Sequence, residues 1–92
     1  MIKRLKGRGL KRLHATGERS GIGGDLVETV EWILTVLDSA ASPADVNVPY
    51  LRLHALKGDL HGYWAVTVRA NWRIIFRFED GDVVDVELVD YH

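Results

Sequence analysis

The sequence predicts an α+β fold, with N-terminal helices packed on one side of a small antiparallel sheet. Three observations carry that prediction. A helical apolar stripe runs through residues 25–38, the apolar period changes to two from residue 63, and turn residues separate the alternating runs. At 92 residues the chain has material for one core, so residues 1–92 are expected to form a single domain.

Residues 1–5 read as a short strand and residues 9–14 as a short helix, followed by the loop "TGERSGIGG". The clearest element is "DLVETVEWILTVLD", where Leu26, Val30, Ile33, Leu34 and Leu37 recur at helical spacing and Val27 widens the stripe. Asp25 is a suitable N-cap, and Glu28 three residues later completes a capping-box pattern. "SAASPADVNVP" ends this helix and supplies a loop, with a turn starting at Pro43. "LRLH" then reads as a short edge strand with Arg52 and His54 on one face, followed by the turn "KGD".

In "YWAVTVR" Trp64, Val66 and Val68 share one face, while Tyr63, Ala65, Thr67 and Arg69 share the other. "WRIIFRF" and "VVDVELV" continue the alternation with Trp72, Ile74, Phe76 and Phe78, then Val84, Val86 and Leu88. Keeping these sets on one side sets the register, because a slip of one residue turns every core side chain to water. Val68 then pairs with Trp72, Val66 with Ile74 and Trp64 with Phe76, across a loop Arg69-Ala70-Asn71 with Asn71 left-handed. Phe78 pairs with Val84, Phe76 with Val86 and Ile74 with Leu88, across Asp80-Gly81-Asp82. On the polar face this sets Arg77 opposite Asp85, whereas Arg73 meets only Thr67 and Val89, with Tyr91 on its own face. An arginine without a cross-strand acid is available to a phosphate.

Composition narrows the chemistry. With no cysteine there is no disulfide framework, thiolate nucleophile or thiolate ligand, which fits a reducing compartment. The apolar runs fall short of a membrane span and "MIKRLKGRGL" lacks a signal-peptide core, so a cytoplasmic protein without membrane contact is expected. Charge is strongly asymmetric: residues 1–20 carry seven Lys/Arg against Glu18, while residues 79–92 carry six acids and no Lys or Arg. The basic end is either a solvated helix face or a surface for phosphates. His14, His54, His61 and His92 show no helix-spaced pair, so no metal site is expected, and no glycine loop has phosphate-binding spacing. What remains is a set of basic, His and Tyr groups with one carboxylate around a sheet edge. Metal-free RNA cleavage needs such a set: a base for the 2′-hydroxyl, cations for the phosphate and an acid for the departing 5′-oxygen.

The stretch "LHALKGDLHGYWAVTVRANWRIIFRFEDGDVVDVELVDYH" resembles the HigB group of the RelE/ParE superfamily of bacterial toxins, also described as plasmid maintenance killer proteins. The likeness rests on a Leu-His near "LKG", a "G-x-W" strand start, the "V-x-x-N-W-R-I" hairpin and the "D-Y-H" end, with "GLKRL" extending it to the N-terminal part. The resemblance implies a RelE-like fold and an mRNA interferase that cuts messages in the ribosomal A site. It further implies that no metal or cofactor is needed and that the 2′-hydroxyl is the nucleophile. By the same resemblance His54, Asp90, Tyr91 and His92 are the catalytic group, Lys57 and Arg73 contact phosphate or substrate, and Arg69 is a weaker phosphate candidate. His54 or Asp90 would receive the 2′-hydroxyl proton and His92 would protonate the leaving oxygen. The implied partners are the ribosome with its mRNA and a HigA-type helix-turn-helix antitoxin, through which alone the chain would meet DNA. Two other readings stay open from the residues: a binding module of the same fold that does not cut, and a nuclease acting on free RNA.

Overall fold

A computed structural model describes residues 1–91; His92, one of the expected catalytic residues, lies outside them. The order is α1 (Arg8–Thr16), α2 (Val27–Ser39), then β1 (His54–Ala55), β2 (Trp64–Arg69), β3 (Trp72–Glu79) and β4 (Asp82–Asp90). Short 3-10 turns at Pro43–Val46 and Pro49–Leu51 join α2 to the sheet, and a third at Gly58–Leu60 lies between β1 and β2. The strands are antiparallel in the order β1-β2-β3-β4, so an α+β architecture is what the alternating and helical patterns produce.

α1 is longer than expected and stops where Gly17, at φ 79°, turns left-handed and donates to the Leu13 carbonyl at 3.0 Å. The loop after it folds back on α1 so closely that a Cβ on Gly9 would collide with the carbonyl of Gly21. α2 does not start as expected: its cap position is Leu26, with no side-chain cap, so the Asp25 capping box is not formed. The chain is already turning there, since the N–H groups of Leu26 and Val27 both donate to the Gly23 carbonyl. The capping box lies instead at Ser42 and Asp45, around the turn expected at Pro43.

The helices cover one face of the sheet. Val30, Ile33, Leu34 and Leu37 of α2 and Leu10 and Leu13 of α1 pack with Val66, Ile74, Phe76 and Val86, and Val46 and Leu51 close the side. Each such side chain, fully buried, contributes roughly 1.5–3 kcal/mol of transfer free energy. Asp38 ties the layers together by accepting from the Ile2 N–H and from His14 Nε2, both at 2.9 Å.

Residues 1–5 form two isolated parallel bridges to β4, Ile2 to Val83 and Leu5 to Val86, and no continuous strand. Lys3 N–H donates to Val83 and Lys6 N–H to Val86, each at 2.8 Å, so this segment covers part of the outer edge of β4. Arg4 is thereby brought to Asp85 (3.1 Å) and Glu79 (3.5 Å), which gives part of the basic N-terminal segment a structural task.

The central registers agree with parity: Trp64–Phe76, Val66–Ile74, Thr67–Arg73, Arg73–Val89, Ile74–Leu88 and Ile75–Glu87. Both hairpin ends differ. Arg69, and not Val68, pairs with Trp72 across a two-residue loop, and Ala70, not Asn71, takes the positive φ of 51°. A bulge between Thr67 and Arg69 absorbs the extra residue. The second loop is Asp80-Gly81, both with positive φ (53° and 81°), which is the backbone a tight two-residue hairpin requires. β4 then carries a bulge of its own, so Arg77 pairs with Val84 and Asp85 adopts φ 54°. The expected Arg77–Asp85 contact survives the shift, with Nη2 at 2.8 Å and Nε at 3.0 Å from Oδ2.

Candidate active site

The sheet face turned away from the helices carries Arg73 and Tyr91, and His54 reaches it from the edge. Cross-strand pairing builds it row by row. His54, Ala65, Ile75 and Glu87 form one row from β1 to β4, and Thr67, Arg73 and Val89 form the next. Ala65 and Ile75 are buried but do not belong to the core beneath the helices, so they make an apolar floor under the larger polar side chains around them.

His54 reaches this face from β1, which is only two residues long. Arg52 lies outside the strand in a left-handed conformation at φ 52°, so the expected shared strand face with His54 does not form. Its backbone has another effect. His54 Nδ1 lies 3.0 Å from the Arg52 carbonyl oxygen. A carbonyl can only accept, so Nδ1 carries the proton and Nε2 of the neutral ring holds the lone pair. His54 is exposed and makes no other hydrogen bond among the described residues.

Arg73 is half-buried on β3. Its Nη1 donates to the carbonyl oxygens of Ala70 and Trp72, the latter at 3.0 Å. Those bonds fix one corner of the guanidinium at the hairpin and leave Nε and Nη2 without a protein acceptor among the described residues. Arg77, by contrast, is held by Asp85, whose carboxyl is kept below its usual range by hydrogen bonds from Arg4 and Arg77 and by their charges.

β4 brings the end of the chain to Arg73. Val89 pairs with Arg73 and Asp90 with Trp72, and Tyr91 extends the ladder by donating its N–H to Asn71 at 2.7 Å. Asn71 thus anchors the terminus through its carbonyl oxygen. Alternation continues Tyr91 onto the face of Val89 and Arg73, and its side chain is exposed.

The expected residues are therefore not equally close. Arg73 and Tyr91 share this face at one end of the sheet, whereas Asp90 pairs with the helix-side Trp72 and so takes the opposite parity. His54 stands two strands from Arg73 and one row along, about 12 Å between Cα atoms from ordinary strand spacing. Lys57 lies further still in that direction, exposed before the Gly58–Leu60 turn. Arg69 departs from the face, because the bulge sets it opposite Trp72, a residue packed on the helix side. Among the described residues, the clefts beside α2 and at the N-terminal loop include none of these side chains. An open platform of this width suits an extended polymer.

Tyr63 also belongs to this face and carries no expected role from the sequence, although its parity was legible. The Arg77 guanidinium lies 5.7 Å and the Lys6 ammonium 6.0 Å from its ring centroid. The Arg52 carbonyl had no readable signal, since it depends on a left-handed arginine. Among the described residues no group of three His, Asp or Glu side chains is placed to hold a metal ion.

A family model described as the RelE-like toxin of the type II toxin–antitoxin system HigB matches residues 3–92. The chain is 44% identical over 92 residues to the Endoribonuclease HigB of Proteus vulgaris, covering 100% of both chains. Among solved structures it is similar to the YoeB-YefM complex from Staphylococcus aureus, with a TM-score of 0.64 at 15% identity over 100% of this chain and 95% of that one. A mutant of YafQ from E. coli gives a TM-score of 0.60 at 17% identity, covering 98% of this chain and 91% of that one. At those identities the structural likeness speaks for the fold.

Proposed function

The chain belongs to the RelE-like HigB toxins of type II toxin–antitoxin systems, and from that premise we propose that it is an endoribonuclease that cuts mRNA in the ribosomal A site. The full-length similarity to a protein named Endoribonuclease HigB supports the activity. One structural observation carries the chemistry. On the same open sheet face, two strands apart, lie an imidazole oriented through Nδ1 and an arginine that has no carboxylate partner among the described residues.

In this reading residues 1–92 act as one toxin domain, and the message lies across the sheet. His54 Nε2, or Asp90, takes the proton of the 2′-hydroxyl as that oxygen attacks the adjacent phosphorus. Arg73 directs Nε and Nη2 at the non-bridging phosphate oxygens, where charge grows. The P–O5′ bond breaks, and His92 supplies the proton to the 5′-oxygen, leaving a 2′,3′-cyclic phosphate and a 5′-hydroxyl. Tyr91 positions the nucleotide, and Lys57 holds the backbone further along. Arg69 and Asp90 have the least support, because both pair with Trp72 and so take the parity opposite to Arg73.

Membership of the family brings an antitoxin as partner. We assign it to the HigA-type helix-turn-helix class, with DNA reached only through it, and we place the action in the cytoplasm. Among the described residues no helix is long and apolar enough to cross a membrane. Incubating the purified protein with programmed ribosomes and with naked transcript tests the ribosome requirement. Cleavage on ribosomes alone is expected; cleavage of naked transcript at the same rate would make it a free-RNA nuclease. No cleavage of either would leave a binding protein of the same fold.

A further inference from the structure

At the outer edge of β2, α2 and the Pro49–Leu51 turn form a cleft of about 350 Å³ against the end of that strand. Its walls include Glu28, Trp32, Tyr50, Leu51, Thr67 and Val68. The rings of Trp32 and Tyr50 stack with centroids 5.4 Å apart at 21°. Both are exposed, at 37% and 69%, so Tyr50 in particular gains little from burial in this chain alone. Exposed Trp and Tyr beside a concavity are the residue types that carry binding energy at protein interfaces.

Two further features say what the cleft takes. Glu28 lies one helical turn before Trp32 on the same face of α2, and its carboxylate has no hydrogen-bond or ion-pair partner among the described residues. Aromatic faces next to an unpaired carboxylate attract a cation through both the ring quadrupole and the charge. They also disfavour a nucleic-acid backbone, whose phosphates Glu28 would repel. Arg69, the cation following Val68, does not line the cleft. The second feature is a strand edge. β1 covers β2 only at Trp64 and Ala65, and beyond them no described strand pairs with the outer edge of β2. Thr67 and Val68 belong to that edge and to the cleft, so an extended chain added along β2 would deliver a side chain between Glu28 and the rings.

We propose that this cleft docks an extended segment of the antitoxin, seating one of its arginine or lysine side chains between Glu28 and the Trp32–Tyr50 pair. The proposal rests on the toxin–antitoxin reading above. The test is calorimetric titration of the full-length protein with the antitoxin of its own module, comparing wild type, Glu28→Gln, Glu28→Lys and Tyr50→Ala. Glu28 and Tyr50 are exposed, and thermal melts identify any variant that has lost its fold.

Glu28→Lys should weaken binding by tenfold or more, on the order expected for reversing one partner of a charge pair. Tyr50→Ala should weaken it about tenfold, as truncation of an aromatic anchor does. Glu28→Gln should fall between wild type and Glu28→Lys and flatten the salt dependence. Wild-type affinity in folded Glu28→Lys and Tyr50→Ala would overturn the docking site and leave the toxin assignment standing. Unchanged antitoxin affinity with weakened ribosome binding in Tyr50→Ala would give the cleft to RNA and likewise overturn it. No binding of the antitoxin even to wild type would overturn the toxin–antitoxin reading itself.

Discussion

The carbonyl oxygen of Arg52 lies 3.0 Å from Nδ1 of His54, and this contact decides which ring nitrogen can take a proton. The partner is backbone, reached because Arg52 sits at φ 52°. Arg52→Gly should therefore keep single-turnover cleavage on programmed ribosomes close to wild type, since glycine adopts that φ and retains the carbonyl. Arg52→Pro, whose ring cannot reach a positive φ, should both destabilise the protein and lower cleavage.

Arg73→Ala should reduce cleavage by about 10²-fold, the size expected for losing one preorganised donor to developing charge. Arg73→Lys restores the charge but not the fork of donors, so it should recover only part of the loss. Measured on ribosome-bound message, wild-type cleavage by Arg73→Ala would remove this arginine from the phosphate site.

Asp85 ties the β4 bulge to Arg4 and Arg77. Its carboxyl is held below the ordinary value of 3.8, first by the Arg4 hydrogen bond and then by that of Arg77. The folded pKa lies below the unfolded one, so this carboxylate's stabilisation is complete above about pH 4 and is lost as pH falls through the lower folded value. Asp85→Asn should lower the melting temperature at neutral pH, and the gap to wild type should close in strong acid. Asn tolerates the left-handed φ, so the comparison isolates charge. A gap that stays constant from pH 7 to pH 2 would exclude this linkage.

Ala70 occupies φ 51° in the first hairpin, a conformation that costs an L-residue about 1 kcal/mol or somewhat more. Ala70→Gly should accordingly stabilise the protein by up to about 1 kcal/mol, less the extra flexibility of glycine in the unfolded chain. Denaturant titration reads the change. The same replacement at Asn71 should give no gain, which separates this turn from the three-residue loop that parity suggests.

Much of this fold is legible from alternation alone. Thr67, Arg73 and Val89 share a row because period two puts them there, and burying Val66, Ile74 and Leu88 on the other face forbids a slip. Parity reports faces and is blind to an extra residue, so it misses both bulges. The one at Asp85 is held by Arg4, 81 positions away in the chain, and no local pattern announces that. The parallel bridges of Ile2 and Leu5 to β4 are non-local in the same way. Asp25 failed as a cap for a local reason, since the chain turns through Gly23 before the helix begins. In the site, the face of Arg73 is legible, but the placing of His54 and its distance from Arg73 are not, because β1 shrinks to two residues and the sheet interposes β2.

Mapping the cut ends of a message on programmed ribosomes, with wild type beside His54→Ala, tests most directly whether the open sheet face performs the cleavage. Wild type should leave a 2′,3′-cyclic or 3′-phosphate and a 5′-hydroxyl, with His54→Ala slower by 10² to 10⁴-fold, roughly the share of a general base. Equal rates for the two proteins, or wild-type products ending in a 5′-phosphate, would contradict the account.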